Sequence, residues 1–197
     1  MEKEEKELSP AESLALIQSM INNTKGEVAD DSFHFLLWGW LVFGCCILEF
    51  FLKVYIHTPY HYMVWWSMPV GGVISGIYGA RQSRKKRVRT FVDETLKYVW
   101  LAIAFSYVVL LFVNSLAEGN HWDFTYYILL YGIGTFVSGG QLRFRPLLIG
   151  GLINFVLAVV ASTVGFDYQL LIAALAILCS YIVPGHLLRI KHHHQKK

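Results

Sequence analysis

Six long apolar stretches separated by short polar breaks divide the chain, at about residues 33–54, 60–80, 95–117, 124–142, 146–165 and 168–188. Each has the roughly 20 residues that a helix needs to cross a hydrocarbon layer of about 30 Å. Within lipid an open chain satisfies its own backbone only as a helix. The pattern therefore predicts an all-α polytopic membrane protein with six transmembrane helices arranged as three hairpins. A short amphipathic helix is expected ahead of them. Ser9 caps it, Pro10 takes its first position and Glu12 completes a capping box. Leu14, Ile17 and Ile21 form its apolar stripe, flanked by Leu16 and Met20, and it is read as ending near Asn22, Asn23 and Gly26. Its polar face lacks the Lys and Arg that an anionic surface attracts, so docking on protein is expected. Asp30, Asp31 and Ser32 then cap the first span.

Charge orders these segments. The run Arg81-Gln-Ser-Arg-Lys-Lys-Arg-Val-Arg89 cannot enter hydrocarbon, so it fixes one loop on the cytoplasmic side. With an even number of spans both termini share that side. The inner segments then collect every Lys and Arg except Lys53, including Arg143, Arg145 and the tail from Arg189 to Lys197. Residues 1–31 hold eight carboxylates against three lysines, and residues 81–97 hold seven Lys or Arg against two carboxylates. Three regions follow: a cytoplasmic acidic arm with the amphipathic helix at 1–31, the transmembrane domain at 32–189 and a basic cytoplasmic tail at 190–197. Met1 to Leu8 has no apolar core, so the opening reads as a solvated arm and not as a cleaved signal peptide. A composition of 55% hydrophobic and 16% charged residues exceeds the apolar content one soluble core needs. The mean hydropathy of +0.44 agrees. Cys45, Cys46 and Cys179 show no metal or disulfide spacing and read as small packing residues.

The even-numbered spans concentrate small residues: Gly72, Gly76 and Ala80 in the second, Gly134, Ser138 and Gly139 in the fourth, Ala176 and Ser180 in the sixth. Such ridges let membrane helices approach closely, so these three spans are expected at the centre. They also end alike, with Ser75-Gly76 before Arg81, Ser138-Gly139 before Arg143 and Pro184-Gly185 before Arg189, a weak internal repeat. The strings Phe33-His-Phe-Leu-Leu-Trp-Gly-Trp40, Leu142-Arg-Phe-Arg-Pro-Leu-Leu-Ile-Gly-Gly151 and Ser180-Tyr-Ile-Val-Pro-Gly-His-Leu-Leu188 resemble those of an uncharacterised family of bacterial six-helix integral membrane proteins. The resemblance implies a location in the bacterial inner membrane and carries no assigned activity.

Candidate chemistry is sparse. Glu49 is the one carboxylate inside a predicted span, and Lys53 stands four residues on along the same face. The two read as a structural ion pair, or Glu49 as a proton or cation site. Asn114 and Asn154 read as interhelical hydrogen-bond formers. His57, His61 and His121, with Glu118 and Asp123, gather in the predicted outer loops and have donor types that suit Zn or Cu, although Pro59 argues against His57 and His61 sharing a helix face. Solvated histidines are the simpler expectation. Ser138 and His186 resemble a rhomboid protease dyad, but Phe136 stands where that motif needs glycine, and both residues fall at cytoplasmic helix ends. No enzyme activity, cofactor or nucleic-acid partner is expected.

The reading favoured at this point is a non-catalytic inner-membrane sensor or scaffold that holds a cytoplasmic protein. Besides the bilayer itself, the basic patch of Arg81, Arg84, Lys85, Lys86, Arg87 and Arg89 would meet anionic lipid headgroups or the acidic arm. The alternative is a small-solute or ion transporter. Pro69 to Gly72 and Gly132 to Gly134 then mark interrupted helices around a midplane site, and a chain this short would work as a homo-oligomer.

Overall fold

A computed structural model describes residues 10–85, 91–116 and 123–195, and among them the chain is all-helical. Helix α1 runs unbroken over Pro10–Val54, 45 residues, or about 68 Å. This corrects the expectation of a separate amphipathic helix. No proline follows Pro10 within α1, and a single Gly26 costs a helix only about 1 kcal/mol. A span already formed extends cheaply, because nucleation is the expensive step.

After Val54 the chain turns, with His57 in the left-handed region at φ 57°. A 3₁₀ segment, His61–Ser67, then leads into α2, Met68–Lys85. Pro69 therefore falls in the first turn of α2, where its missing N–H costs nothing, and is not a mid-helix interruption. Helix α3 covers Phe91–Leu116, α4 Thr125–Gln141 and α5 Arg145–Ala161. Helix α4 continues through Gly132 and Gly134 without a break. It closes with Arg143 at φ 49° and the Phe144 N–H donating to the Gly139 carbonyl at 2.9 Å, so α5 folds straight back with Pro146 in its first turn. The last rod comprises α6, Phe166–Ile177, a π turn at Leu178–Ile182 and α7, Val183–Gln195.

Three helical stretches are long and apolar enough to cross a membrane: Ser32–Val54, Glu94–Leu116 and Phe166–Ile190; Arg145–Ala161 is apolar but shorter. The surface agrees with a membrane protein. Leu116, Val159 and Phe105 are 81%, 68% and 66% exposed, while Glu49, Asn114, Thr135, Ser138, Asn154, Gln169 and Ser180 are buried. Apolar groups face out and polar ones in, the arrangement that lipid selects and water does not.

The core lies along the α6–α7 rod, against α1 and α5. In the most apolar part of Phe166–Ile190, 56% is buried, against 33% in Ser32–Val54 and 11% in Glu94–Leu116. Glycines set the close approaches. A β-carbon on Gly150 would sit 2.8 Å from Ser180 Cα, and one on Gly39 would sit 3.1 Å from Tyr181 Cβ, so the π turn is gripped from two sides. Gly139 and Gly151 bring the α4 and α5 backbones together in the same way. The expected central position of the second span is wrong. A β-carbon on Gly72 or Gly76 meets nothing within 4 Å, and Ala80 is exposed. The packed face of α2 is Gly71 against Leu41, Ser75 against His34 at 2.8 Å and Tyr78 stacked on Phe33. Small residues at four-residue spacing permit a close approach without demanding one.

Candidate functional site: a cleft between two hairpins

The site follows from how α2 and α3 are held. Helix α2 packs on α1. Helix α3 packs on α4, where Gly134 receives Ile103 and Trp100 and where Asn114 Nδ2 donates to Tyr127 Oη at 3.4 Å. Among the described residues, no Cα of α2 comes within 8 Å of one in α3, α4 or α6. The two hairpins thus stand apart, and the space between them, backed by α6, is a cleft of about 2150 Å³. That is about twice the upper end of an ordinary small-molecule pocket.

Its walls are aromatic. Ring centroids run from Tyr127 to Tyr107 (5.6 Å), Tyr107 to Tyr131 (5.5 Å), Tyr131 to Tyr181 (5.2 Å) and Tyr181 to Phe35 (5.3 Å). Trp38, Trp65 and Trp100 also line it. Polar groups sit at its two ends: Glu49, Lys53, His61 and Asp123 at one, His34, Ser75, Glu94 and Lys97 at the other. Ser138 lines it too, fully buried, with its hydroxyl unpartnered among the described residues.

Glu49 does not pair with Lys53. Its Oε1 lies 2.9 Å from His61 Nδ1, and its Oε2 accepts from Trp65 Nε1 at 2.6 Å. Both partners come from the 3₁₀ segment, which lies along the end of α1. Only 2% of Glu49 is exposed. Lys53 turns instead to Asp167 at the start of α6, with Nζ–Oδ1 2.6 Å, and lies 4.0 Å over the Phe166 ring. The i, i+4 pairing fails because each residue has a better partner from elsewhere: Glu49, set in the cleft wall, meets His61 and Trp65, and Lys53 reaches the rim.

The other predicted site residues are dispersed. Asn154 Nδ2 donates to Ser180 Oγ at 3.1 Å, linking α5 to the π turn, and the Ser180 hydroxyl donates in turn to the Ala176 carbonyl at 2.7 Å. His57 bonds the Tyr55 carbonyl at 3.2 Å on an exposed turn, away from His61 on Glu49. Among the described residues no three His, Cys, Asp or Glu side chains gather as metal ligands. His121 and Glu118 lie outside those residues. So do Lys86, Arg87 and Arg89, while Arg81 and Arg84 are exposed on the last turns of α2. His186 lies against Trp40, centroids 6.4 Å apart. Sequence reasoning missed the His61–Glu49–Trp65 cluster. The available signal was a histidine and a tryptophan four residues apart just before Pro69. Compared with models of known families, with curated proteins and with solved structures, the chain matches none of them.

Proposed function

We propose that this chain is a six-span protein of the bacterial inner membrane, with both termini cytoplasmic, whose cleft takes up an amphipathic molecule and carries it between the two faces of the bilayer. The observation that carries this reading is the cleft itself: about 2150 Å³, aromatic along its length and polar at both ends. A cavity with that lining suits a molecule with a large apolar body and a polar head. The gap between α2 and α3 offers entry from the lipid, because apolar solutes concentrate there. The Glu49 end then faces outward and the His34 end inward, following the division of Lys and Arg. Carriage requires only that the two hairpins rock about their shared backing on α6.

Saturable binding tests this. The purified protein in a neutral detergent should bind a fluorescent single-chain amphiphile, and vesicles containing it should move that probe across the bilayer. Gly76→Trp should abolish both without changing thermal stability, since a side chain there enters open space in the cleft. Unchanged binding and flux in that variant would refute the reading.

A scaffold role is favoured by one separate observation. Helix α1 continues as a helix from Ser32 back to Pro10, about 33 Å beyond the apolar stretch. Such a rod suits a docking arm for a cytoplasmic protein. Co-purification of a soluble protein that is lost on deleting residues 1–26 would support it.

A further inference from the structure

We propose that the cleft selects lipophilic cations, with Glu49 as the counter-charge that recognises them; this rests on the cleft being a ligand site and adds the class of ligand. The charges at that end are unevenly compensated. Lys53 is neutralised by Asp167 at 2.6 Å. Glu49 has a histidine and an indole N–H as its partners, and among the described residues no Lys or Arg nitrogen lies within 4 Å of it. Asp123 lines the same end. Its oxygen caps the Thr125 N–H at 2.8 Å, which leaves its charge in place. Lys53 is tied to Asp167 and His61 to Glu49, so an anionic head finds no unpaired cation among the described residues at this end.

The aromatic lining adds to this. The negative face of a ring attracts a cation, and most strongly where water is excluded. Trp65 donates its N–H to Glu49 and packs against Phe124 at 5.6 Å, and Phe124 lies 5.7 Å from Tyr127. The carboxylate thus stands at the head of a run of aromatic rings that line the cleft. A carboxylate and ring faces together suit a diffuse cation such as a quaternary ammonium on an aromatic or alkyl body. Such a cation sheds its hydration more readily than a primary ammonium does, and the rest of its body fits the apolar length of the cleft. At the opposite end one residue of each sign, Glu94 and Lys97, lines the cleft among the described residues.

The test uses three fluorescent probes with one apolar body and a trimethylammonium, a hydroxyl or a sulfonate head, titrated onto the full chain in a neutral detergent. The wild type should bind the cationic probe roughly tenfold or more tightly than the neutral one, a difference of about 1.4 kcal/mol or more, and the sulfonate most weakly. Glu49→Gln turns an N–H toward His61 or the Trp65 N–H, so it should lower the melting temperature, and it should bring the affinities for the cationic and neutral probes together; saturable binding of the neutral probe reports that the cleft is still formed. Lys53→Gln, which leaves Asp167 uncompensated at the same end, should sharpen the preference. Equal binding of the three probes by the wild type, an unaltered preference in Glu49→Gln, or a weakened one in Lys53→Gln would each overturn the cation assignment while leaving the cleft intact. If no probe bound at all, the cleft reading itself would fall.

Discussion

Replacing Gly139 with alanine perturbs the closest approach of a glycine to another helix's backbone among the described residues. The added β-carbon would lie 2.6 Å from Leu148 N and 3.0 Å from Leu147 C. Both are backbone atoms of α5, so no rotamer change relieves the clash. Ordinary contact lies at about 3.5 Å, which requires α4 and α5 to part by roughly 0.9 Å, and a gap of that size forfeits a quarter to a half of the dispersion energy across the interface. Overpacking costs about 1–3 kcal/mol, and two backbone clashes place this case at the upper end. Alanine returns about 1 kcal/mol in helix propensity, leaving a net loss of about 2 kcal/mol. Gly76→Ala is the matched control. Nothing lies within 4 Å of its β-carbon, so only the propensity gain operates, and the variant should be as stable as wild type or up to about 1 kcal/mol more so. The two variants should differ by about 3 kcal/mol, or roughly 6–12 °C in melting temperature for a chain of this size. Thermal unfolding of both in one detergent, followed by circular dichroism, measures the difference. Melting temperatures within about 2 °C of each other would refute the reasoning.

An impermeant thiol reagent applied to intact cells should label Asn120→Cys and spare Ser83→Cys, and the reverse would invert the topology. Asn154→Leu should change stability by less than about 1 kcal/mol, because it removes one interhelical hydrogen bond while Ser180 keeps its bond to Ala176; a drop of several kcal/mol in chemical denaturation would show that Asn154 holds more than this. Lys53→Gln should cost less than about 1 kcal/mol in the same measurement, as expected for a partly exposed ion pair. Neutralising Arg84, Lys85, Lys86 and Arg87 together should raise the protease sensitivity of residues 10–23 at low salt if the acidic arm docks on that loop; equal sensitivity in wild type and variant would leave the loop as a topology signal alone.

The positions of several helices were legible from length and hydropathy, but the stretch expected at 60–80 appears as the 3₁₀ segment His61–Ser67 followed by α2 at Met68–Lys85. The stretches expected at 124–142 and 146–165 appear as Thr125–Gln141 and Arg145–Ala161, and that expected at 95–117 as Phe91–Leu116. The continuity of α1 was not legible, because capping residues such as Asp30 and Ser32 mark where a helix can begin and are tolerated where one continues. The π turn left no sequence mark; it lies where Gly39 and Gly150 approach from two other helices. Helix periodicity was the wrong guide to Glu49: its partners come from a 3₁₀ segment after a turn, and the partner of Lys53 comes from α6. Which glycines pack and which face open space likewise depended on neighbours distant in sequence. The cleft follows from all of these, and no local pattern announces an absence of contact between α2 and α3.

Disulfide trapping measures that separation directly. In a chain whose Cys45, Cys46 and Cys179 are replaced by alanine, Gly76→Cys and Leu101→Cys line opposite walls of the cleft. A disulfide needs Cα atoms within about 7 Å, and none of α2 lies within 8 Å of α3. Oxidation should leave this pair as free thiols, while a bis-maleimide spacer of about 10 Å or more should join them. Gly185→Cys with Phe35→Cys, whose β-carbons would lie 3.5 Å apart, should oxidise readily in the same membranes. If the Gly76–Leu101 pair instead formed a disulfide as fast as the Phe35–Gly185 pair, the hairpins would be closed on each other and there would be no cleft.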